Sequence, residues 1–169
     1  MSTSENSVSR NRILSAIPIV LIGVVAYEFF EWTFNRHYVP EGHSLVLRYK
    51  GPPLPFLPGD RPVAAPGQFA KVSESGSPLE KGVLKDMLGP GRHFLWIGWW
   101  ETHLVPDTIV KPGQVAVVTS RMGQDLEEGR FLVDGDLDQT QQKGILRKVL
   151  GPGRYRINDY AYTVDIVEG

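Results

Sequence analysis

The chain has 169 residues with 18 Lys and Arg against 19 Asp and Glu, so its charge is balanced and it has no basic stripe of the kind that follows a phosphate backbone; nucleic acid is excluded as a partner. The absence of cysteine excludes a disulfide framework, a thiolate metal site and a cysteine nucleophile. The length allows one ordinary domain or two small ones, and 13 Pro with 18 Gly predict many turns, hence a mainly β body.

Residues 1–12 form a polar tail that has no means of burying apolar surface and is expected to be disordered. Arg10 and Arg12 then precede an apolar run. Ile13 to Tyr27 is uncharged for 15 residues, and continuing to Phe34 gives 22, enough for a helix to cross a hydrocarbon core of about 30 Å. Residues 13–34 are therefore predicted as a transmembrane helix whose anchoring side chains include Ile13, Ile17, Val20, Leu21, Val24, Phe29 and Trp32. Glu28 and Glu31 fall in its last turns beside Tyr27, Trp32 and Arg36, the depth of an interfacial belt. Pro18 would bend the helix, which membrane helices tolerate. A cleavable signal peptide and a buried core helix are the competing readings; no small-x-small site follows the apolar stretch, which favours a retained anchor. Arg10 and Arg12 on one side nearly balance Arg36, Arg48 and Lys50 on the other, and the short tail with its paired arginines tilts the expectation toward an exported body. The expected location is a single-pass position in the bacterial inner membrane.

The body carries a repeat. GVLKDMLGPGRHFL from Gly82 matches GILRKVLGPGRYRI from Gly144 at an offset of 62 without a gap, with ten of 14 positions identical or alike. Ahead of each copy, Pro40-Glu41-Gly42-His43-Ser44-Leu45-Val46-Leu47 resembles Pro112-Gly113-Gln114-Val115-Ala116-Val117-Val118. Two small antiparallel β-modules related by internal duplication are predicted, residues 39–110 and 111–169. A turn followed by β-branched residues places strands near Ser44 to Tyr49 and Gln114 to Ser120. Gly89-Pro90-Gly91 and Gly151-Pro152-Gly153 supply Pro at the second position and Gly at the third of a type II turn, so a hairpin or strand corner is expected there. Its arms would be Val83 to Leu88 with Arg92 to Ile97, and Ile145 to Leu150 with Arg154 to Ile157; Thr108 to Val110 and Tyr162 to Val167 would close the modules.

Between the halves of the first module lies an insert, residues 51–82, with seven prolines. It reads as an extended loop or linker, with Pro52-Pro53-Leu54-Pro55-Phe56-Leu57-Pro58 as a weaker polyproline ligand. Three of the four tryptophans fall within five residues where the second copy is plainer, and the patch Phe94, Trp96, Trp99 and Trp100 could lie at the membrane surface, pack between the modules or contact another protein.

Catalytic chemistry has little to stand on. Asp134-Gly135-Asp136-Leu137-Asp138 resembles the opening of a calcium loop, but Gln139 and Ile145 stand where such a loop needs Gly and Glu, so a solvated acidic turn is expected. His37, His43, His93 and His103 show no ligand spacing. Gly-Pro-Gly-Arg lacks the N–H groups and the Lys-Ser or Lys-Thr of a phosphate cradle, and there is no Gly-x-Ser-x-Gly elbow or carboxylate couple. No catalytic, cofactor-binding or metal site is predicted.

An N-terminal anchor, then Val-Pro-Glu-Gly-His or Lys-Pro-Gly-Gln-Val-Ala-Val-Val, then Gly-Pro-Gly-Arg and a strand ending in Thr-Val-Asp-Ile-Val, resembles the start of the stomatin, prohibitin and flotillin (SPFH, or band-7) superfamily over about residues 13–167. More distantly, the modules are similar to the repeats of the major vault protein. The resemblance implies a membrane scaffold that self-assembles and organises lipids and membrane proteins. That family continues into packed helices and a coiled coil, which are not found here, so a shortened member is one alternative. An accessory subunit that binds a membrane protease or transporter is another, and a secreted enzyme starting near Glu28 a third. The expected partners are the bilayer and either further copies of the chain, as a homo-oligomer, or another membrane protein.

Overall fold

The computed structural model describes residues 3–137 and 142–168, with the backbone alone over residues 3–15. Helix α1 spans Thr3–Phe30 and runs without a break into a π-helical turn, Glu31–Asn35. It starts ten residues ahead of the predicted anchor, so residues 3–12 are helical rather than a disordered tail; no Gly or Pro in that segment opposes the helix. Ala16–Asn35 is long and apolar enough to span a membrane, with mean hydropathy 1.6 and no part of its most apolar stretch buried in the body. Ile17, Val20, Leu21, Val24, Phe29 and Trp32 are all exposed, and apolar side chains occupy every side of the helix.

The rest is mainly β, and among the described residues the strands pair antiparallel apart from one short parallel pair, with two isolated parallel bridges at Val63–Lys81 and Gln124–Gln142. The first five strands are β1 (Arg36–Val39), β2 (His43–Tyr49), β3 (Gly82–Val83), β4 (Gly91–Phe94) and β5 (Trp100–Pro106). The next six are β6 (Thr108–Val110), β7 (Gln114–Ser120), β8 (Leu132–Val133), β9 (Gly144–Leu146), β10 (Gly153–Tyr155) and β11 (Tyr162–Glu168). β2 and β7 lie where the Pro-Gly entries and β-branched runs predicted them. In the first set β1 pairs with β4 (Val39 opposite Gly91), and β2 pairs with β3 (Tyr49 opposite Gly82) and with β5 (Leu45 opposite Leu104). In the second, β6 pairs with β10 (Val110 opposite Gly153), and β7 pairs with β9 (Ser120 opposite Gly144) and with β11 (Ala116 opposite Ile166). An isolated bridge joins Leu45 to Leu88 in the first set and Ala116 to Leu150 in the second. The parallel strand pair is β8 with β9.

These registers correct the predicted hairpins. The arms on either side of each Gly-Pro-Gly do not pair with one another. Residues 82–94 run antiparallel to 36–49 along their whole length, and the Gly-Pro step lies opposite the Pro-Glu-Gly turn, so both chains bend at one place. Prolines at a bend shared by two chains remove N–H groups that would have no partner there. The type II geometry is not formed either. Gly91 has φ +142° and Gly153 lies outside the left-handed range, because each opens a strand instead of closing a turn. The corner is closed by a side chain: His93 Nε2–H donates to the Gly89 carbonyl at 2.8 Å, and the Tyr155 hydroxyl donates to that of Gly151 at 2.9 Å. Thr108 to Val110 does not close the first set. It opens the second, against β10, while Trp100–Pro106 is the closing strand of the first.

The insert is folded onto the body rather than strung between its halves. Lys81 N–H donates to the Pro62 carbonyl at 2.7 Å, Ala70 N–H donates to Val83 at 2.9 Å, and Lys81 Nζ pairs with Asp60 at 2.5 Å. A short loop is tied off where Lys71 N–H donates to Glu80 at 3.1 Å, and this bond holds the Glu80 carboxyl below its usual range. Ala70 joins the first core with Val39, Leu45, Leu47 and Leu84. Its neighbour Phe69 packs against the second core, built on Val118, Met122, Val133, Leu146, Ile157, Ala161 and Tyr162, and against a smaller cluster of Val46, Val83 and Val105. Between the two sets the buried Asn158 donates from Nδ2 to the Leu84 carbonyl at 3.1 Å and accepts from Tyr160 N–H.

Phe69 and Asn158 thus couple the two halves by packing and by a buried hydrogen bond. Phe69→Ala is expected to lower stability by about 2–3 kcal/mol, less than a fully buried Phe would cost. Asn158→Ala is expected to cost about 1–3 kcal/mol through the unpaired Leu84 carbonyl. Denaturant unfolding in mild detergent, followed by near-ultraviolet circular dichroism, checks both.

Candidate membrane-interface site

At Glu31–Asn35 the apolar helix becomes a strand, and the sequence supplies aromatic and polar groups for that change. The wider π turn directs Asn35 inward, where its residue is 1% exposed. Its Nδ2 donates to Glu31 Oε1 at 3.0 Å, and its Oδ1 accepts from Ile97 N–H at 3.1 Å. Its carbonyl accepts from Leu95 N–H at 2.8 Å and from His37 Nδ1–H at 3.1 Å. One residue therefore fastens the helix end to the loop that follows β4, and its own backbone carbonyl is satisfied.

Aromatic rings extend the junction. Phe30 lies 5.1 Å from Phe34 and 5.3 Å from Trp96, Trp32 meets Phe94 edge-on at 5.9 Å, and the Arg36 guanidinium sits 5.5 Å over the Trp32 ring. These separations are in the range of favourable ring contacts and of a cation–π pair. Phe94, Trp96 and Ile97 remain about half exposed beside the helix end. The predicted patch is thereby divided. Phe94 and Trp96 belong to this junction, whereas Trp100 packs edge-on against Tyr49 at 5.0 Å in the first core and Trp99 lies over Gly59 of the insert.

The other candidate residues are used singly. The carbonyl groups of Asn35, Glu41 and Gly89 accept from His37, His43 and His93, and His103 faces Asp159 at 3.4 Å. Of the acidic segment, Asp134 pairs with Arg147 and Asp136 with Lys148, both at 2.6 Å, while Asp138 and Gln139 lie outside the described residues. No group of three metal-binding side chains occurs among the described residues. A cleft of about 530 Å³ between the two sets is lined by Arg48, Glu101, His103, Arg121 and Asp159, in which Arg48 pairs with Glu101 and His103 Nε2 faces Asp159. The repeat glycines and prolines 89–91 and 151–153 serve the corners of the sheets.

No family model, curated protein or solved structure matches the chain.

Asn35, Phe30 and Phe34 were not singled out by sequence. The only available signal was a short polar residue ending an apolar run, which reads as an ordinary helix stop. Asn35→Leu keeps the volume but leaves the Ile97 N–H without an acceptor. The Ile97 amide is expected to exchange about tenfold faster or more, equivalent to at least about 1.4 kcal/mol, with strand β7 unchanged. Hydrogen–deuterium exchange on the full chain in nanodiscs measures this.

Proposed function

We propose that this chain is a single-pass membrane protein whose β body stands on the bilayer surface and works by assembly, without catalytic chemistry of its own. The observation that carries this reading is the junction at Asn35, where the helix end, Trp32, Phe94 and Trp96 hold the body against the end of the apolar span. A cleaved signal helix has no use for such a fastening. The body's two halves arise by internal duplication, a reading supported by the equal registers of β1 to β5 with β6, β7 and β9 to β11 and by the matching side-chain closure at His93 and Tyr155. On this basis, and on the sequence resemblance to the band-7 superfamily, the body is a scaffold module that associates with copies of itself beside the membrane.

Native mass spectrometry of the full chain, extracted from bacterial membranes in mild detergent, tests the proposal. A narrow high-order oligomer with an intact N-terminus is expected. Stoichiometric co-purification with a different chain would replace the scaffold by an accessory subunit, and a mature chain starting near Glu28 would overturn the anchor.

A further inference from the structure

The tip of the insert is apolar and exposed, and its base is linked to the helix end. Residues 51–59 carry no charge and lie between Lys50 and the Asp60-Arg61 pair. Within them Leu54, Phe56 and Leu57 are exposed, Phe56 to 78%. The base of the tip is fixed. The Tyr49 hydroxyl donates to the Gly59 carbonyl at 2.6 Å, Lys50 N–H donates to the Trp99 carbonyl at 2.8 Å, and Asp60 is held by Lys81. Gly59 also lies under Trp99, whose N–H donates to the Trp96 carbonyl at 2.9 Å, and Trp96 touches Phe30 of the helix. An unbroken path of contacts thus leads from the end of the span to the base of this tip.

We infer that Leu54, Phe56 and Leu57 form a second membrane contact, a lipid-inserting wedge seated in the interface of the bilayer that the helix spans. The inference rests on the anchored reading above and deepens it. Irregular backbone enters lipid poorly because its N–H groups lose water, but here Pro52, Pro53, Pro55 and Pro58 have none, Leu57 N–H donates to the Leu54 carbonyl and Asp60 N–H to that of Leu57. An uncharged apolar tip between Lys50 and Arg61 has the pattern of an interfacial insertion, with cations at the depth of phosphate headgroups. The polyproline-ligand reading needs the same side chains to face a protein groove. The contacts to Trp99 and Trp96 favour the bilayer, since they hold the tip next to the lipid-facing rings.

The cysteine-free chain permits single labels. Full-length Phe56→Cys, Val20→Cys and Ser75→Cys variants, each carrying a nitroxide, are reconstituted into vesicles of phosphatidylcholine and phosphatidylglycerol. Accessibility to oxygen and to a water-soluble nickel chelate then gives the depth of each label. The expected result places position 56 about 5–10 Å into the headgroup and acyl boundary, position 20 in the hydrocarbon and position 75 in water. Position 56 in water with position 20 in lipid overturns the wedge and leaves the anchor standing. If the label at 56 is also immobilised only in native membranes, a protein is its partner instead. Position 20 in water overturns the anchor and the wedge together.

Discussion

Asn35 stands where an apolar helix ends and a strand begins. On its N-terminal side the chain is a helix whose exposed side chains from Ile17 to Phe29 are largely apolar; on its C-terminal side it is a strand that must pair with another. A helix end leaves carbonyl groups without partners, and near hydrocarbon each of these is costly. Glu31, Leu95, Ile97 and His37 converge on this one residue, and the rings of Phe30, Trp32, Phe94 and Trp96 shield the same place. The direction in which β1 leaves the helix, and with it the setting of the whole first set of strands, follows from that junction.

From β1 onward the body is organised by shared bends. A long segment that turns at Pro40-Glu41-Gly42 needs a partner that turns at the same point, and Gly89-Pro90 provides it; the second set solves the same problem with Pro112-Gly113 and Gly151-Pro152. Gly82 and Gly144 sit just before these partner segments with φ of +150° and +144°, and a Cβ at Gly144 would come within 2.8 Å of Leu126 and Val133. The inserted chain then supplies Phe69 to both neighbouring cores, so the two halves share a packed boundary rather than a flexible link.

Much of this was legible in the residues. The apolar run located the helix that is long and apolar enough to span a membrane, and a Pro-Gly entry before β-branched residues located β2 and β7 closely. Comparing the two copies also drew attention to the tryptophans, because only one copy carries them. The hairpins were misread because Gly-Pro-Gly chemistry is local, whereas the choice between folding back and bending alongside an earlier strand depends on a partner some fifty residues away. β1 was missed because Arg36-His37-Tyr38-Val39 follows the helix without a break, and β5 because its tryptophan-rich start reads as a packing or contact patch rather than a strand. The insert looked like a linker because its prolines hide the two residues, Phe69 and Ala70, that matter to the cores. At the junction, Phe94 and Trp96 could be found by contrast, but two of the partners of Asn35, Leu95 and Ile97, lie some sixty residues away, and its nearby partners Glu31 and His37 do not reveal them.

The central claim is that the helix crosses the membrane and leaves the body on one side of it. Single cysteines at Ser7 and Ser75, challenged with a membrane-impermeant maleimide in sealed inverted vesicles before and after detergent, test it most directly. Only one of the two is expected to react while the vesicles are intact, and both once they are opened. Reaction of both, or of neither, in intact vesicles would contradict it.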